Sequence, residues 1–331
     1  MEAIFERLKA LTALRCVSGN EGELAELIRT QAAPFADEVR TDAMGNVLIR
    51  KGTGGKRLLF AAHMDTAGLM ATHIDEKGFV RFGTVGSIQA VSILHAPVIF
   101  SNGTCGVVGK EDGVEEKDLK IKHLYIDIGA RDRAEAETLI LPGDTAVFKA
   151  TASCVGTRVL SPALDDRAGC LVLLTALERL QSPANEVWFT FTVQKEVGLR
   201  GAKTAAYGIC PDYGFSVDVV PAGDMPGQKE MSPVRLGGGA ALRIMDSSLI
   251  AHPAVVSLLE ELARAKNIPT QRAVLTSGTT DAGAIRRTHF GVPTGSISVP
   301  ARYVHTPCEM VDMRDLSACV ELVTAVAEAT L

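Results

Sequence analysis

No stretch of this sequence stays apolar for the roughly 18–20 residues that a spanning helix needs. Runs such as Cys170–Leu174 and Pro97–Phe100 stop after a few positions, so a chain built of membrane-crossing helices is excluded. Positive charge is not in excess either: 34 Lys and Arg stand against 39 Asp and Glu, a net of −5. That balance leaves no basic footprint for nucleic acid. Aromatics are scarce at 5%. The seven cysteines (Cys16, Cys105, Cys154, Cys170, Cys210, Cys308, Cys319) are scattered, odd in number and never spaced C-x-x-C, which argues against a disulfide framework. The opening Met1-Glu-Ala-Ile-Phe-Glu-Arg-Leu8 lacks the basic start and apolar stretch of a signal peptide and reads as an acidic amphipathic helix. Reduced, mostly packing thiols and a cytoplasmic home are expected; only Cys308 stands near a candidate ligand.

What the chain does have is apolar material: 47% of 331 residues, enough for two domains or one large α/β unit. Leucines at helical spacing fill residues 1–33, interrupted at Ser18–Gly22. Val39–Ile49 alternates around Asp42-Ala-Met-Gly-Asn46, a strand–turn–strand signal, and Leu58–Ala62 reads as a buried strand. Between about 67 and 157 helical periodicity disappears. Short β-like runs (Phe79–Phe82, Pro97–Phe100, Cys105–Val108, His123–Ile128, Ala146–Phe148) alternate there with Gly-, Asn- and Asp-rich turns, as in a small all-β module. Its apolar segments Val91–Leu94 and Pro97–Phe100 are expected to lie exposed unless another subunit covers them. Beyond it, strands (Glu186–Val193, Gly214–Val217, Ala240–Ile244, Ser296–Val299) alternate with helices (Ala168–Leu180, Pro253–Lys266, Asp281–Arg287, Asp315–Ala329).

Four metal-type side chains sit just past four of these strands: His63, Glu196, Asp218 and His305. Open α/β sheets build their sites outside the carboxyl ends of strands. A lone His after a strand is commonly a core or surface histidine, and His73, His95, His123, His252 and His289 are read so; four strand ends each delivering a ligand type point instead to a metal site. In His63-Met-Asp65 the second carboxylate has the spacing to orient the imidazole. Asp165, in Ser161-Pro-Ala-Leu-Asp-Asp-Arg-Ala-Gly169, suits either a helix cap or a carboxylate bridging two cations. Asp281 suits either a pocket wall or a helix start.

Ala62-His-Met-Asp65, Ala163-Leu-Asp-Asp-Arg-Ala-Gly169, Glu196-Val-Gly-Leu-Arg-Gly-Ala202, Asp218 with Ala222–Gly227, Gly278-Thr-Thr-Asp-Ala-Gly283 and Arg302-Tyr-Val-His305 occur in this order. Together they resemble the tetrahedral (TET) aminopeptidase family, whose members are also named glutamyl aminopeptidases and endoglucanases. The similarity spans essentially the whole chain. It implies a three-layer α/β catalytic domain with a mixed sheet (1–66 and 158–331) and an inserted, small β-barrel-like dimerisation domain (67–157). It further implies two divalent metals: His63, Asp165 and Asp218 for one, Asp165, Glu196 and His305 for the other, with Asp165 bridging and Asp65 orienting His63. Such donors suit Zn²⁺, Co²⁺ or Mn²⁺. Peptide substrates and dimers assembling into a hollow dodecamer are implied as well.

The chain departs from the family where two consecutive glutamates are expected, the first a general base and the second a ligand. Here the pair is Lys195-Glu196, so the ligand stands and Lys195 occupies the general-base position. A charged lysine beside dications is repelled by about 4 kcal/mol per unit-charge pair at roughly 4 Å and an effective dielectric near 20. Three readings meet this: the side chain points away and leaves a slow or dead peptidase, it is neutral and acts as an unusual base, or it is a replacement that cripples the enzyme. Thr66 also replaces a usual acid. The expectation is a dinuclear aminopeptidase, weakened or inactive at Lys195; the alternatives are a non-catalytic peptide-binding or structural relative that keeps the cage, or a metal-dependent deacylase.

Overall fold

The computed structural model describes residues 1–227 and 233–331. Helices Glu2–Thr12 and Gly22–Ala32 open the chain and bury Leu8, Leu11, Leu24 and Ile28, the leucine stripe expected of them. Strands Glu38–Thr41 and Val47–Lys51 then pair antiparallel across a turn whose Gly45 has φ +97°, a conformation that glycine adopts without strain.

Among the described residues the sheet has eleven strands in mixed orientation. At its centre Glu186–Thr192, Arg57–His63, Tyr213–Pro221 and Thr294–Arg302 run parallel to one another. These strands are buried almost throughout, which is why they read as continuous apolar runs. The pleat still divides them by face. Leu58, Phe60 and Ala62 join the core under helices Leu164–Arg179 and Met313–Glu328. Leu59 and Ala61 join a second core with Ala202, Ala206 and Ile285 from helices Arg200–Ile209 and Asp281–Ile285. Helices on both faces make the three-layer α/β architecture.

Six antiparallel strands form a separate closed barrel: Gly68–Ile74, Val80–Val85, Leu124–Asp127, Cys105–Lys110, Pro97–Phe100 and Thr145–Phe148, in that order around the ring. Leu69, Val80, Val98, Phe100, Val108 and Ile126 fill it. The expectation of an exposed Pro97–Phe100 is therefore corrected. Val98 and Phe100 point into the barrel because a strand turns alternate residues inward, whereas Val91, on a short helical turn, is 58% exposed. Among the described residues no helix is long and apolar enough to cross a membrane.

Candidate metal centre

Register brings the strand ends level. Thr192 pairs with His63, and Ser216 pairs with Ala61, so Asp218 two residues on ends beside His63. The chain leaves Thr192 into the turn that carries Lys195 and Glu196. Successive amides of that turn are held by side chains from elsewhere. The Val193 N–H donates to Asn46 Oδ1 (3.0 Å), that of Gln194 to Glu21 Oε1 (3.0 Å), that of Lys195 to Asp65 Oδ1 (2.9 Å) and that of Glu196 to Asp65 Oδ2 (3.0 Å). Ser18 Oγ also donates to Asp65, at 2.6 Å.

Asp65 meets His63 chiefly through its backbone: Nδ1–H of His63 donates to the Asp65 carbonyl at 2.9 Å, while the carboxylate is 3.5 Å away. The ring's other nitrogen, Nε2, lies 2.9 Å from Asp165 Oδ1, 3.7 Å from Asp218 Oδ1 and 4.0 Å from Glu196 Oε1. His305 repeats the arrangement from the far side. Its Nδ1 donates to the Ser87 carbonyl at 2.8 Å, and its Nε2 lies 3.2 Å from Asp165 Oδ2 and 3.3 Å from Glu196 Oε2 without hydrogen-bond alignment. All five expected ligands thus meet at one place.

The two adjacent acids divide the readings that the sequence left open. Asp165 and Asp166 have non-helical dihedrals within the first turn of Leu164–Arg179. Asp166 Oδ1 accepts from the Gly169 N–H at 3.0 Å, an N-cap bond, and Oδ2 accepts from the His63 N–H at 3.2 Å. Asp165 turns into the cage. Asp166 still lies within reach of His63 and Asp218, and burial, with Asp218 and Asp165 adding to it, pushes its carboxyl well up. A Cβ on Gly169 would come within 2.5 Å of the Asp166 carboxylate and 2.6 Å of the Val217 carbonyl, so the helix approaches the sheet only with glycine there.

Glu309 was not singled out by the sequence. Its Oε2 accepts from the Asp165 N–H at 2.9 Å and Oε1 from the His305 N–H at 2.8 Å, clamping Asp165 and His305 together. Burial, and then the Asp165 carboxylate, push it to about 8. Asp281 is a helix-start residue, not a cavity wall. It is buried, accepts from Thr192 Oγ1 at 2.6 Å, and is pushed by burial to about 6. Thr66 is buried, its N–H bonded to the Cys16 carbonyl at 2.9 Å. Cys308 lies exposed beyond His305.

Lys195 does not point away. Its side chain is 8% exposed, and Nζ lies 3.1 Å from Glu196 Oε1, 3.5 Å from Asp165 Oδ1 and 3.5 Å from Asp218 Oδ2. Burial alone would lower its pKa, but Asp165, Asp218 and Glu196 outweigh that and hold it well above its ordinary value. Among these three carboxylates alone it is an ammonium. His305, lowered by burial, is raised to about 11 by Asp165 and Glu196. Crowded carboxylates thus raise His63, Lys195 and His305 alike, the electrostatic signature of a cation site. The donor set fits divalent metals: carboxylates converge from separate strands, and both imidazoles commit Nδ1 to a backbone carbonyl and turn Nε2 inward, as metal-ligating histidines do.

Beside the cage opens a cavity of about 510 Å³ lined in part by the apolar Val219, Ala222, Met225, Leu275 and Val304, together with Arg243, Ser277 and Thr279. A sequence model of the M42 glutamyl aminopeptidase family matches residues 45–322. A protein of Acetivibrio thermocellus, provisionally named an aminopeptidase, is 45% identical over 97% of this chain and 97% of its own. An aminopeptidase structure from the archaeon Desulfurococcus kamchatkensis superposes with a TM-score of 0.96 at 39% identity, covering 99% of this chain and 96% of that one. A TET peptidase from Pyrococcus horikoshii, described as assembling into a tetrahedron or a large octahedral shell, superposes with a TM-score of 0.90 at 34% identity, covering 98% and 99%.

Proposed function

Since the chain belongs to the M42 glutamyl aminopeptidase family, whose members are metal-dependent, we propose that it releases N-terminal residues from peptides at the cluster His63, Asp165, Glu196, Asp218 and His305. The observation that carries this reading is the pair of imidazoles, each anchored through Nδ1 and each turning Nε2 onto the same carboxylate, Asp165. His63, Asp165 and Asp218 would form one ligand set and Asp165, Glu196 and His305 the other, donors that suit Zn²⁺, Co²⁺ or Mn²⁺. Bound there, such cations supply polarisation of a peptide carbonyl and activation of water.

The chain's own residues do the rest. Asp65 fixes the turn that bears Glu196 and, through its backbone, the tautomer of His63. The cavity gives an aliphatic first side chain an apolar wall to pack on. Lys195 stands where a carboxylate would take the proton from the attacking water and pass it to the leaving amine. An ammonium has no lone pair to accept a proton, so the chain is a slow peptidase. The placement of that ammonium inside the cage favours, as a second reading, a non-catalytic relative that binds peptides and keeps the assembly.

The likeness to shell-forming neighbours supports a homo-oligomer built through the inserted domain, 67–157, around catalytic domains of 1–66 and 158–331. Seven unpaired cysteines support a cytoplasmic location. The test is hydrolysis of a peptide panel with free or acetylated N-termini, with and without chelator, beside N-acyl amino acids and glycans. Metal-dependent cleavage of free N-termini alone is expected; turnover of glycans or N-acyl substrates instead overturns the reading.

A further inference from the structure

We propose that the Lys195 ammonium is an internal cation that takes the place of one divalent ion, filling the His63–Asp218 half of the cage. The chain then holds a single metal per subunit between Asp165, Glu196 and His305. The inference rests on the metal-dependent reading above.

The carboxylate oxygens are already partitioned. Asp165 Oδ1 and Glu196 Oε1 face Lys195 Nζ at 3.5 and 3.1 Å, and the same two oxygens face His63 Nε2 at 2.9 and 4.0 Å. Asp218 adds Oδ2 to the ammonium at 3.5 Å and Oδ1 towards His63 at 3.7 Å. Nζ therefore sits among the oxygens that a metal in the His63 half would take. The opposite oxygens, Asp165 Oδ2 and Glu196 Oε2, are the ones nearest His305 Nε2, at 3.2 and 3.3 Å, whereas Oδ1 and Oε1 are the ones nearest Lys195 Nζ. One half of the cage is occupied by the chain itself and the other is left for a cation.

The root of the side chain is fixed as well. The Lys195 amide is bonded to Asp65 at 2.9 Å, with its neighbours Gln194 and Glu196 bonded likewise, and the side chain is 8% exposed. With the turn held in this way, vacating the His63 half requires the stem itself to leave its three carboxylate partners. An ammonium and a dication cannot share those oxygens without strong repulsion. A second equivalent of metal should thus bind about 10²-fold or more weakly than the first.

The test is metal content by inductively coupled plasma mass spectrometry after equilibration with buffered Zn²⁺, with titration calorimetry for stepwise affinity. Circular dichroism selects folded variants. One Zn²⁺ per subunit is expected for the wild-type chain and for Lys195→Arg, which keeps the charge. Two are expected for Lys195→Met, which keeps the length and removes it. His305→Ala should empty the wild-type chain, and His63→Ala should leave its single ion in place. Two tight ions in the wild-type chain, or one in Lys195→Met, would overturn the inference while leaving a metallopeptidase. No ion in any folded form would overturn the metal-dependent reading together with it.

Discussion

Asp165 and Asp166 are identical side chains one bond apart, and they do different work. One reaches the cage, where two histidines converge on it; the other caps the helix and holds the amides of Gly169 and His63. Removing the second, as Asp166→Ala, strands two buried donors and should cost about 2–4 kcal/mol in chemical denaturation. A loss below 1 kcal/mol would show that Asp166 is not the cap. The sequence identified the pair but could not divide its labour, because side-chain direction follows from the dihedrals at 165 and 166 (ψ 102° and 41°), which no neighbour spacing encodes. Lys195 was equally visible as a departure. Its inward direction was not, because the carboxylates that attract it come from Asp165 and Asp218, distant in the chain.

The element that matters most is the turn after Glu186–Thr192. Its four successive amides are bonded to Asn46, Glu21 and Asp65, which come from three separate places ahead of the barrel. Asn46 also donates to the Gly201 carbonyl at 3.1 Å, tying the turn to the next helix. Asn46→Ala leaves the buried Val193 N–H unpaired, while the Gly201 carbonyl keeps the Thr204 hydroxyl at 2.9 Å, so a loss of about 1–3 kcal/mol is expected, with weaker metal retention because Glu196 loses its frame. Unchanged stability and metal content in that variant would mean that the frame is redundant. The strand–turn–strand signal at Asp42–Asn46 was legible from its glycine and alternation. That Asn46 also reaches a turn about 150 residues later was not, since a polar residue in a turn usually serves the turn alone. Helix Arg200–Ile209 escaped for a related reason. It carries Gly201 and Gly208, poor helix formers, yet a Cβ at Gly201 would lie 2.2 Å from Asn46 Oδ1, so contact rather than propensity selects the glycine. Strand Thr270–Val274 is mostly polar and half exposed at the sheet margin, so it offers no apolar signal. The central parallel strands were legible because full burial makes them continuous apolar runs.

Across the whole molecule, the barrel and the catalytic layers meet at the cage. The Ser87 carbonyl, within the inserted segment, orients His305, and a Cβ on Gly86 (φ +80°) would lie 2.9 Å from Glu196 Oε2. A β-rich segment was legible from the change of periodicity, but its contact with His305 was not, because Ser87 acts through its backbone. Exposed apolar residues on and beside the barrel, Val91 and Leu141 among them, match a surface covered by another copy. Light scattering at micromolar concentration should accordingly give a dimer or larger, and a strict monomer would contradict the proposed assembly. Metal links folding to ligand in the same way: stripping by chelator should lower the melting temperature, restoring about 2.7 kcal/mol when free metal is a hundred times its dissociation constant. Position 195 governs the proton transfer, so the most direct measurement compares metal-replete hydrolysis of one aminoacyl substrate by the wild-type chain and by Lys195→Glu, with metal content determined for both. General-base assistance is worth about 10²–10⁴-fold, and Lys195→Glu should be faster by at least that order; equal rates in two metal-loaded, folded forms would contradict it.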